Sequence, residues 1–317
     1  MGPRQVTVFG ASGFIGRHVV RRLAADGARV IAAVRDPVAA DFLRPMGDVG
    51  QIAPLACDVR NPDLVARALQ GSDAAVNLVG ILFESRRVRF DAIHGEAPGI
   101  IARAAAAAGF EALVHISSIG ADPASDSDYA RSKGAGEAAL RAGFPDAVIL
   151  RPSIVFGPED NFFNRFAALA RISPVLPLFG GGTTRFQPVY VCDVAEAVVL
   201  GLTQHDLRGR TFELGGPHIH TFRELMEDIL DVTGRQRGLV SLPMVLADLI
   251  GYAGDVIAWF GIEPMLTRDQ ARQLRRDNVA SGDGFDALGI RPTAMEVVLP
   301  AYLDRFRKAG RFKPSRV

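Results

Sequence analysis

Residues 6–16 read VTVFGASGFIG, and this stretch determines the fold. Residues 6–9 are a short β-rich run, and residues 14–25 carry apolar side chains at helical spacing. Three glycines punctuate the turn between them: Gly10, Gly13 and Gly16. A glycine-rich turn between a strand and a helix lets backbone N–H groups approach a pyrophosphate at the positive end of the helix. The stretch therefore predicts the first unit of a Rossmann fold that binds a dinucleotide.

The same alternation continues through the first half of the chain. Apolar runs that read as strands lie at 29–34, 52–56, 74–79, 113–118 and 147–155. Helical patterns separate them near 62–70, 90–108 and 130–142. Continuously apolar strands that alternate with helices predict an α/β fold, a doubly wound parallel sheet with helices on both faces.

The pattern becomes less regular after residue 157, and it predicts a second, smaller α/β subdomain. We assign 1–160 to the Rossmann domain and expect the strand and helix at 187–203 to return to it. The smaller subdomain, for substrate or partner, then comprises 161–186 and 204–317. Substrate would enter between the two, near Phe156, Asn161 and Arg185.

Composition excludes several function classes. A formal net charge of +1 from 36 basic and 35 acidic residues provides no basic surface for nucleic acid. Cys57 and Cys192 lie far apart without the spacing of a metal site or redox pair, so we expect two buried free thiols and no metal. The N-terminus enters a strand almost directly and lacks the pattern of a signal peptide, which favours a cytoplasmic protein.

Residues 239–266 are the most apolar part of the chain, but acidic residues interrupt them too often for a transmembrane helix. Within them, the helix at 243–260 has one narrow polar stripe formed by Asp248, Gly251 and Asp255. Apolar side chains cover most of the remaining circumference. This pattern favours a helix buried in the smaller subdomain over a docking surface for a membrane or a larger complex.

The end of the second strand selects the nucleotide. Arg35 stands where an acidic residue would bind the ribose 2′-hydroxyl of NAD, and its planar guanidinium suits a 2′-phosphate, which favours NADP(H) over NAD(H). The alternative is an exposed Arg35 with Asp36 as the ribose ligand. Asp58 is placed for the adenine amino group, and Asn77 and Gly80 for the ribose and pyrophosphate. The complete set of predicted cofactor contacts is Gly10, Ser12, Gly13, Phe14, Ile15, Gly16, Arg35, Asp58, Val59, Asn77, Gly80, Tyr129, Lys133 and Pro152.

Tyr129 and Lys133 form a Y-x-x-x-K motif at the start of a predicted helix, where a spacing of four places both on one face. The ammonium can lower the pKa of the phenol and hold the nicotinamide ribose, so Tyr129 becomes a candidate proton donor. Ser118, with Ser117 as the alternate, is placed to bond a substrate carbonyl. Lys133 is the only lysine in the first 307 residues, which indicates a requirement for an ammonium at this position.

The glycine turn, Asp58, the HISS strand end and the Tyr129/Lys133 pair make the first 160 residues resemble the extended or atypical short-chain dehydrogenase/reductases. That resemblance implies hydride transfer at a nicotinamide. It also implies that Tyr129 is the acid/base, Lys133 its activator and Ser118 the carbonyl anchor.

A narrower resemblance covers most of the chain. The segments SSIGADPASDSDYARSKGAGEAAL, RPSIVFGPEDNFFNRFA, QPVYVCDVAEAV and LTRDQARQLRRDNV are similar to the NADPH-binding accessory subunits of respiratory complex I and their alphaproteobacterial relatives. This resemblance implies a nucleotide bound without routine turnover and other complex I subunits as partners. It makes helix 243–260 and the loop 180–188 candidate contacts near the quinone region, on the cytoplasmic face of the bacterial inner membrane. The intact Tyr129/Lys133 pair leaves a freestanding NADP-dependent reductase, epimerase or dehydratase as the alternative.

Overall fold

A computed structural model describes residues 4–282, 284–308 and 310; the outer ends of the two predicted domains, 1–3 and 311–317, lie outside these residues. The strands in chain order are β1 (Gln5–Phe9), β2 (Arg29–Val34), β3 (Ile52–Ala56), β4 (Ala74–Asn77), β5 (Ala112–Ile116), β6 (Val148–Pro152), β7 (Val155–Phe156), β8 (Val175–Phe179), β9 (Arg185–Phe186), β10 (Val189–Tyr190), β11 (Thr211–Leu214), β12 (His220–Thr221) and β13 (Gly238–Leu242). The helices are α1 (Phe14–Ala25), α2 (Pro62–Leu69), α3 (Ala97–Ala107), α4 (Asp128–Gly143), α5 (Phe163–Ile172), α6 (Val191–Thr203), α7 (Phe222–Thr233), α8 (Met244–Trp259), α9 (Arg268–Gln273), α10 (Gly284–Ala287) and α11 (Met295–Leu303).

A seven-stranded parallel sheet forms the centre of the fold, in the order β11-β6-β5-β4-β1-β2-β3. Helices α1 and α6 pack together on one face, and α2, α3 and α4 cover the other. Alternate residues of β1 face the two helix layers. Val6 and Val8 face the layer of α1 and α6, and Phe9 faces the layer of α2, α3 and α4. The prediction of a doubly wound α/β fold is confirmed, and burial on both faces explains the continuously apolar strands.

The order of the strands reverses between β1 and β4. In open parallel sheets the connections leave to opposite faces at such a point, so the carboxyl ends of the two strands border a crevice. The crevice lies beside the glycine turn, because that turn follows β1 directly.

A second hydrophobic core lies outside the sheet. It is formed by α5, α7 and α11 with β8, around Phe163, Leu178 and Met226. The later chain also contributes more to the sheet than the sequence predicts, because β11 is its seventh strand and Phe285 packs in the core beneath it. Part of 204–317, which we had assigned to the smaller subdomain, therefore belongs to the Rossmann core.

The burial pattern of helix α8 is the reverse of that of an ordinary surface helix. Its small residues face the protein: Ala247, Gly251, Gly254 and Ala258 are buried. Its bulky apolar residues face outward, with Val245 75% and Leu249 65% exposed. The expectation that this helix is buried is wrong, because periodicity locates a polar stripe but does not reveal which side of the helix packs. Among the described residues, no helix combines the length and hydropathy needed to cross a bilayer.

The two cysteines differ in their exposure to solvent. Cys57 is buried as expected, and burial raises the pKa of its thiol to about 11. Cys192 is exposed, so the expectation of a buried thiol there is wrong. It stands in the first turn of α6, where the helix emerges from the domain and its Sγ lies 3.7 Å from His18 Nδ1.

Candidate nucleotide-binding site

The residues predicted to hold the cofactor, and the predicted carbonyl anchor Ser118, all lie at the carboxyl edge of the sheet. They are Gly10, Ser12, Gly13, Phe14, Ile15 and Gly16 between β1 and α1, Arg35 after β2, Asp58 and Val59 after β3, Asn77 and Gly80 at and after the end of β4, Ser118 after β5, Tyr129 and Lys133 in the first two turns of α4, and Pro152 at the end of β6. Ligands bind outside the carboxyl ends of the strands in open α/β sheets. The predicted set is thus brought to one edge, while the role of each residue stays a prediction.

Glycine suits each of the three positions of the turn for a different physical reason. Gly10 adopts a φ of +81°, which favours glycine. A Cβ on Gly16 would lie 2.2 Å from the Gly10 carbonyl oxygen, so the tight contact between turn and helix requires glycine there. A Cβ on Gly13 would meet only that same oxygen, at 3.2 Å, and Gly13 is exposed at the start of α1.

The N-terminus of α1 is open to an anion. Its N-cap, Gly13, supplies no side-chain cap, and the first turn contains no acidic residue. The first N–H groups of a helix have no partner within the helix and carry a partial positive charge. Space beside Gly13 and N–H groups without a side-chain cap suit a pyrophosphate.

At the end of β2, the charged side chains of Arg35 and Asp36 differ in their contacts. Arg35 is exposed, and its guanidinium forms no ion pair with a carboxylate in the described ranges. Asp36 Oδ1 accepts the N–H groups of Val38 and Ala39, at 3.0 and 3.1 Å, so this oxygen serves the turn. Among the described residues, Arg35 is thus the one of the two side chains that has neither a hydrogen bond nor an ion pair.

Asp58, predicted to bind the adenine amino group, forms an ion pair with Arg60. Arg60 donates to its carboxylate from Nε and Nη2, at 2.9 and 2.6 Å. These hydrogen bonds hold the pKa of Asp58 below its usual range, and the charge of Arg35 lowers it further. An adenine amino group would share an ionised carboxylate with Arg60.

The end of β4 is joined to β5 by a buried pair. Asn77 Nδ2 lies 3.1 Å from His115 Nδ1, and Asn77 Oδ1 accepts the N–H of Val79 at 3.1 Å. Burial, followed by the charge of Lys133, lowers the pKa of His115 to about 3, so its imidazole is neutral. Asn77 therefore shapes the strand end and the start of the loop toward Gly80.

Lys133 lies beneath this loop. It is 4% exposed, and its Nζ donates to the Ile116 carbonyl at 3.2 Å. A Cβ on Gly80 would come within 3.7 Å of the ammonium, so the missing side chain leaves Lys133 beside the backbone of the loop. Burial lowers the pKa of Lys133 to about 8, which keeps most of it protonated at neutral pH.

The pKa of Tyr129 differs from the sequence prediction. Burial raises the pKa of the phenol; the Ser118 hydroxyl opposes this effect, and the Asp269 carboxylate adds to it. Lys133 Nζ lies 5.9 Å from the centre of the Tyr129 ring, over its face. The expectation that the ammonium lowers the phenol pKa is wrong in this structure, because desolvation dominates.

His94 was not predicted, although it supports Tyr129. It lies in a π-helical turn, Asp91–Glu96, and is 1% exposed. Its Nε2 accepts the N–H of Ile81 at 3.0 Å, so Nδ1 carries the proton and faces Ser132 Oγ at 3.2 Å. Ser132 in turn donates to the Tyr129 carbonyl at 2.8 Å. Burial lowers the pKa of His94 to about 2, so this neutral imidazole links the loop after β4 to the helix of Tyr129.

Asp269 was also missed. It belongs to α9, and its carboxylate accepts Ser127 Oγ at 2.9 Å and the N–H groups of Asp128 and Tyr129 at 2.7 and 3.2 Å. A carboxylate at a helix N-terminus satisfies free N–H groups and complements the helix dipole. The helix of Tyr129 and Lys133 is thus capped by a residue about 140 positions away, and the only local signal was an acidic residue among arginines.

Two buried polar atoms at this edge have no hydrogen-bond partner among the described residues: His115 Nε2 in β5 and Ser117 Oγ just after it. Next to them, the Ser118 hydroxyl has, within the described ranges, only the Tyr129 phenol close enough to influence. Buried polar groups normally find a partner, so a cluster of exceptions at a sheet edge indicates the place of a ligand. With the open end of α1 and the ammonium of Lys133, these residues fit a nicotinamide dinucleotide.

The predicted substrate entrance is less suited to binding. Phe156 is fully buried in the second core and packs against Phe163. Arg185 donates to Asp277 at 2.8 Å, and Asn161 borders an open cleft beside Asp160. Two of the three residues are thus already used by the fold itself.

Comparison with known proteins agrees with this geometry. The sequence pattern described as the NAD dependent epimerase/dehydratase family matches residues 6–215. The chain belongs to this family. The family is NAD dependent by description, so a dinucleotide of the NAD(P) type is the cofactor that goes with membership of it.

Relatives of this family member include complex I subunits and reductases. The chain is 36% identical to mouse "NADH dehydrogenase [ubiquinone] 1 alpha subcomplex subunit 9, mitochondrial", over 95% of this chain and 80% of the relative. It is 32% identical to a ceramide reductase of Caulobacter vibrioides, over 75% of this chain and 73% of the relative. Among solved structures, the dTDP-glucose 4,6-dehydratase DesIV from Streptomyces venezuelae with NAD and TYD bound has a TM-score of 0.70 at 23% identity, covering 95% of this chain and 96% of that one. The last comparison establishes the fold alone.

Proposed function

We propose that this protein binds NADP(H) as a structural element and acts as an accessory subunit of respiratory complex I, without routine turnover of the nucleotide. The observation that carries the proposal is the likeness to the mouse subunit, which extends over 95% of the chain and both hydrophobic cores. The exposed apolar face of α8 supports it, since a surface of this kind on a folded domain marks an interaction site.

Retention of the nucleotide without turnover has a physical basis in the site. Lys133 and the open end of α1 can hold a nucleotide, while burial keeps the pKa of the Tyr129 phenol raised. A rise in the pKa of the phenol above its ordinary value makes it a weaker partner in proton transfer at neutral pH. This direction supports binding over catalysis.

Purification of native complex I in mild detergent tests the proposal. We expect this chain to copurify with the complex and to release NADPH on denaturation. A complex I preparation that is active and complete in its other subunits, but lacks this chain, would count against the proposal. A nucleotide-free chain within the complex would remove the structural role of NADP(H).

Arg35 is proposed to select NADPH through the 2′-phosphate. A charge-assisted pair of hydrogen bonds is lost in Arg35→Ala, so the affinity for NADPH should fall about tenfold or more while the affinity for NADH stays unchanged. Isothermal titration with both nucleotides measures the difference. Arg29→Ala is the matched control, because Arg29 is exposed at the opposite end of the same strand. Equal affinities for NADPH and NADH in the unmutated protein would refute the role given to Arg35, and a preference for NADH would favour Asp36 as the ribose ligand.

The second candidate function is a freestanding NADP-dependent reductase. The Ser117 hydroxyl, which has no partner among the described residues, and the Ser118 hydroxyl beside the Tyr129 phenol favour it, as does the ceramide reductase relative. In that case the Tyr129 hydroxyl would donate the proton to a substrate oxygen while Lys133 holds the ribose.

Tyr129→Phe distinguishes the two functions. The accessory role predicts that NADPH affinity changes by no more than about threefold, since one hydrogen bond at most is removed, and that association with complex I persists. Titration and copurification measure both, with Val49→Ala, in the exposed loop before β3, as the control. Oxidation of NADPH by the wild-type protein with a lipid carbonyl substrate, abolished in Tyr129→Phe, would favour the reductase.

A further inference from the structure

The outward face of α8 is apolar and aromatic along its whole length. Its exposed side chains are Val245, Leu246, Leu249, Tyr252, Val256, Ile257, Trp259 and, at the C-cap, Phe260. Phe260 is 76% exposed and Trp259 50% exposed, although each would remove a large apolar area from water if covered. We call this set the α8 face.

Contacts with α9 fix the orientation of the helix. A Cβ on Gly254 would lie 1.8 Å from the Leu266 carbonyl oxygen, and one on Gly251 would lie 2.7 Å from the Arg268 nitrogen. Only glycine permits this approach, so α8 cannot rotate to bury its bulky side without losing the contact. The exposure of the α8 face is therefore a consequence of specific packing.

The acidic residues of α8 are turned away from this face and neutralised. Asp255 accepts Arg268 Nε at 2.5 Å, and Asp248 accepts Arg275 Nη2 at 2.6 Å. Both arginines belong to the segment that packs behind the helix. No acidic side chain of α8 therefore remains unpaired beside the α8 face.

Positive charge lies at the tip of the face. The N–H of Arg86 donates to the Trp259 carbonyl at 3.3 Å, which places the short hairpin 85–88 against the end of α8. Arg86 and Arg87 form the turn of that hairpin and are exposed. Neither guanidinium is ion-paired with a carboxylate in 4–282 or 284–308.

We propose that the α8 face lies on an anionic lipid surface, with Trp259 and Phe260 at the depth of the headgroups and Arg86 and Arg87 paired with lipid phosphates. Trp and Tyr are enriched at bilayer interfaces, and a helix with an apolar face lies in the interface plane. Unpaired arginines beside such a face match the negative charge of the membrane surface. A second copy of the chain fits less well, because its α8 face would bring another pair of unpaired arginines rather than an acidic partner.

This inference deepens the proposed function, since it names the surface on which the accessory subunit would rest beside complex I. Its test does not require the complex. Vesicles contain no protein, so a negative result there leaves copurification with complex I to be decided separately.

Trp259 is the only tryptophan of the chain, so its fluorescence reports on the α8 face directly. On mixing the full chain with vesicles of phosphatidylcholine and phosphatidylglycerol, we expect its emission to shift to shorter wavelength and to be quenched by brominated acyl chains. Binding to these vesicles should exceed binding to pure phosphatidylcholine about tenfold and weaken with added salt, because two arginines contribute.

Two double variants separate the contributions. Arg86→Gln with Arg87→Gln should reduce binding to anionic vesicles to the level of pure phosphatidylcholine. Leu249→Ser with Phe260→Ser retains the reporter and should abolish binding to both. Val49→Ser, an exposed residue in the loop before β3, is the control and should bind as the wild type does. NADPH titration of each variant confirms that the fold is intact.

Two outcomes would overturn the proposal. In the first, Trp259 emission does not change with anionic vesicles. In the second, Trp259 becomes shielded only as protein concentration rises, with a dimer seen by analytical ultracentrifugation, which would assign the α8 face to a second copy.

Discussion

Replacing Gly13 with valine is expected to weaken NADPH binding by about 100-fold or more, since two charge-assisted hydrogen bonds to phosphate would be lost. The added side chain enters the space beside the first turn of α1, where the N–H groups are directed toward an anion. In the unliganded protein it meets only the Gly10 carbonyl oxygen, 3.2 Å from the new Cβ. Gly13 has an extended φ of −69°, which valine also adopts. The variant should therefore fold.

Titration with NADPH, together with thermal unfolding in the absence of nucleotide, separates binding from folding. The melting temperature of the unliganded variant should stay within a few degrees of the wild type, because exchange of one N-cap residue costs only about 1 kcal/mol. Gly282→Ala is the matched control: apart from its chain neighbours, no described residue lies within 4 Å of the added methyl group. Binding by Gly13→Val within about threefold of the wild type, well below the loss of a single such bond, would show that the pyrophosphate does not rest on this turn.

Gly16 shows why the choice of glycine matters. Its Cβ would lie 2.2 Å from the Gly10 carbonyl oxygen and 2.7 Å from the Ala11 carbonyl oxygen, so even alanine would displace the helix from the turn. Loss of nucleotide binding in a Gly16 variant would report on folding as much as on contact with the ligand. The sequence motif treats the three glycines alike, whereas the structure separates a packing glycine from a ligand glycine.

Local patterns predicted the elements that depend on local physics. The strand, glycine turn and helix at 5–25 and the alternating elements to β6 follow from periodicity and from residues with special backbone freedom. Because parallel strands share one carboxyl edge, the approximate position of Arg35, Asp58 and Tyr129 followed as well. These predictions needed only the order of elements along the chain.

The remaining features depend on contacts between distant segments. His94 meets Ile81 and Ser132 through a π-helical turn, which no spacing rule foresees. The pKa of Tyr129 is set by burial that the later chain completes, so the sequence predicted the shift with the wrong sign. The orientation of α8 depends on two glycines that face α9 and the residues just before it, whereas its sequence pattern favoured burial.

Asp269→Ala is expected to destabilise the protein by about 3 kcal/mol, because it removes the acceptor of a buried hydroxyl and of two N–H groups at the start of α4. The side chain of Asp269 is 11% exposed, so water replaces the lost contacts poorly. Gln273 Nε2, 3.0 Å from the same carboxylate, loses its partner too. Thermal and urea unfolding in the absence of nucleotide measure the effect.

Asp126→Ala is the matched control. Asp126 lies two residues before the start of the same helix and accepts Arg276 Nη2 at 2.9 Å, but its side chain is 72% exposed. An exposed ion pair contributes less than about 1 kcal/mol, so this variant should unfold close to the wild type. Asp269→Asn should fall between the two, since the amide oxygen retains one acceptor while the charge at the helix N-terminus is lost.

The Asp269 variant should also weaken NADPH binding, because Tyr129 and Lys133 lie in the helix turns that Asp269 caps. The same α9 supports the α8 face through Gly251 and Gly254, so the nucleotide edge and the outer surface share one structural support. If Asp269→Ala and Asp126→Ala unfold alike and bind NADPH alike, the cap does not contribute to stability. The nucleotide edge and the α8 face are then independent of each other. A loss of stability in Asp269→Ala that saturating NADPH partly restores is the expected result, because a ligand that binds only the folded state stabilises it by mass action.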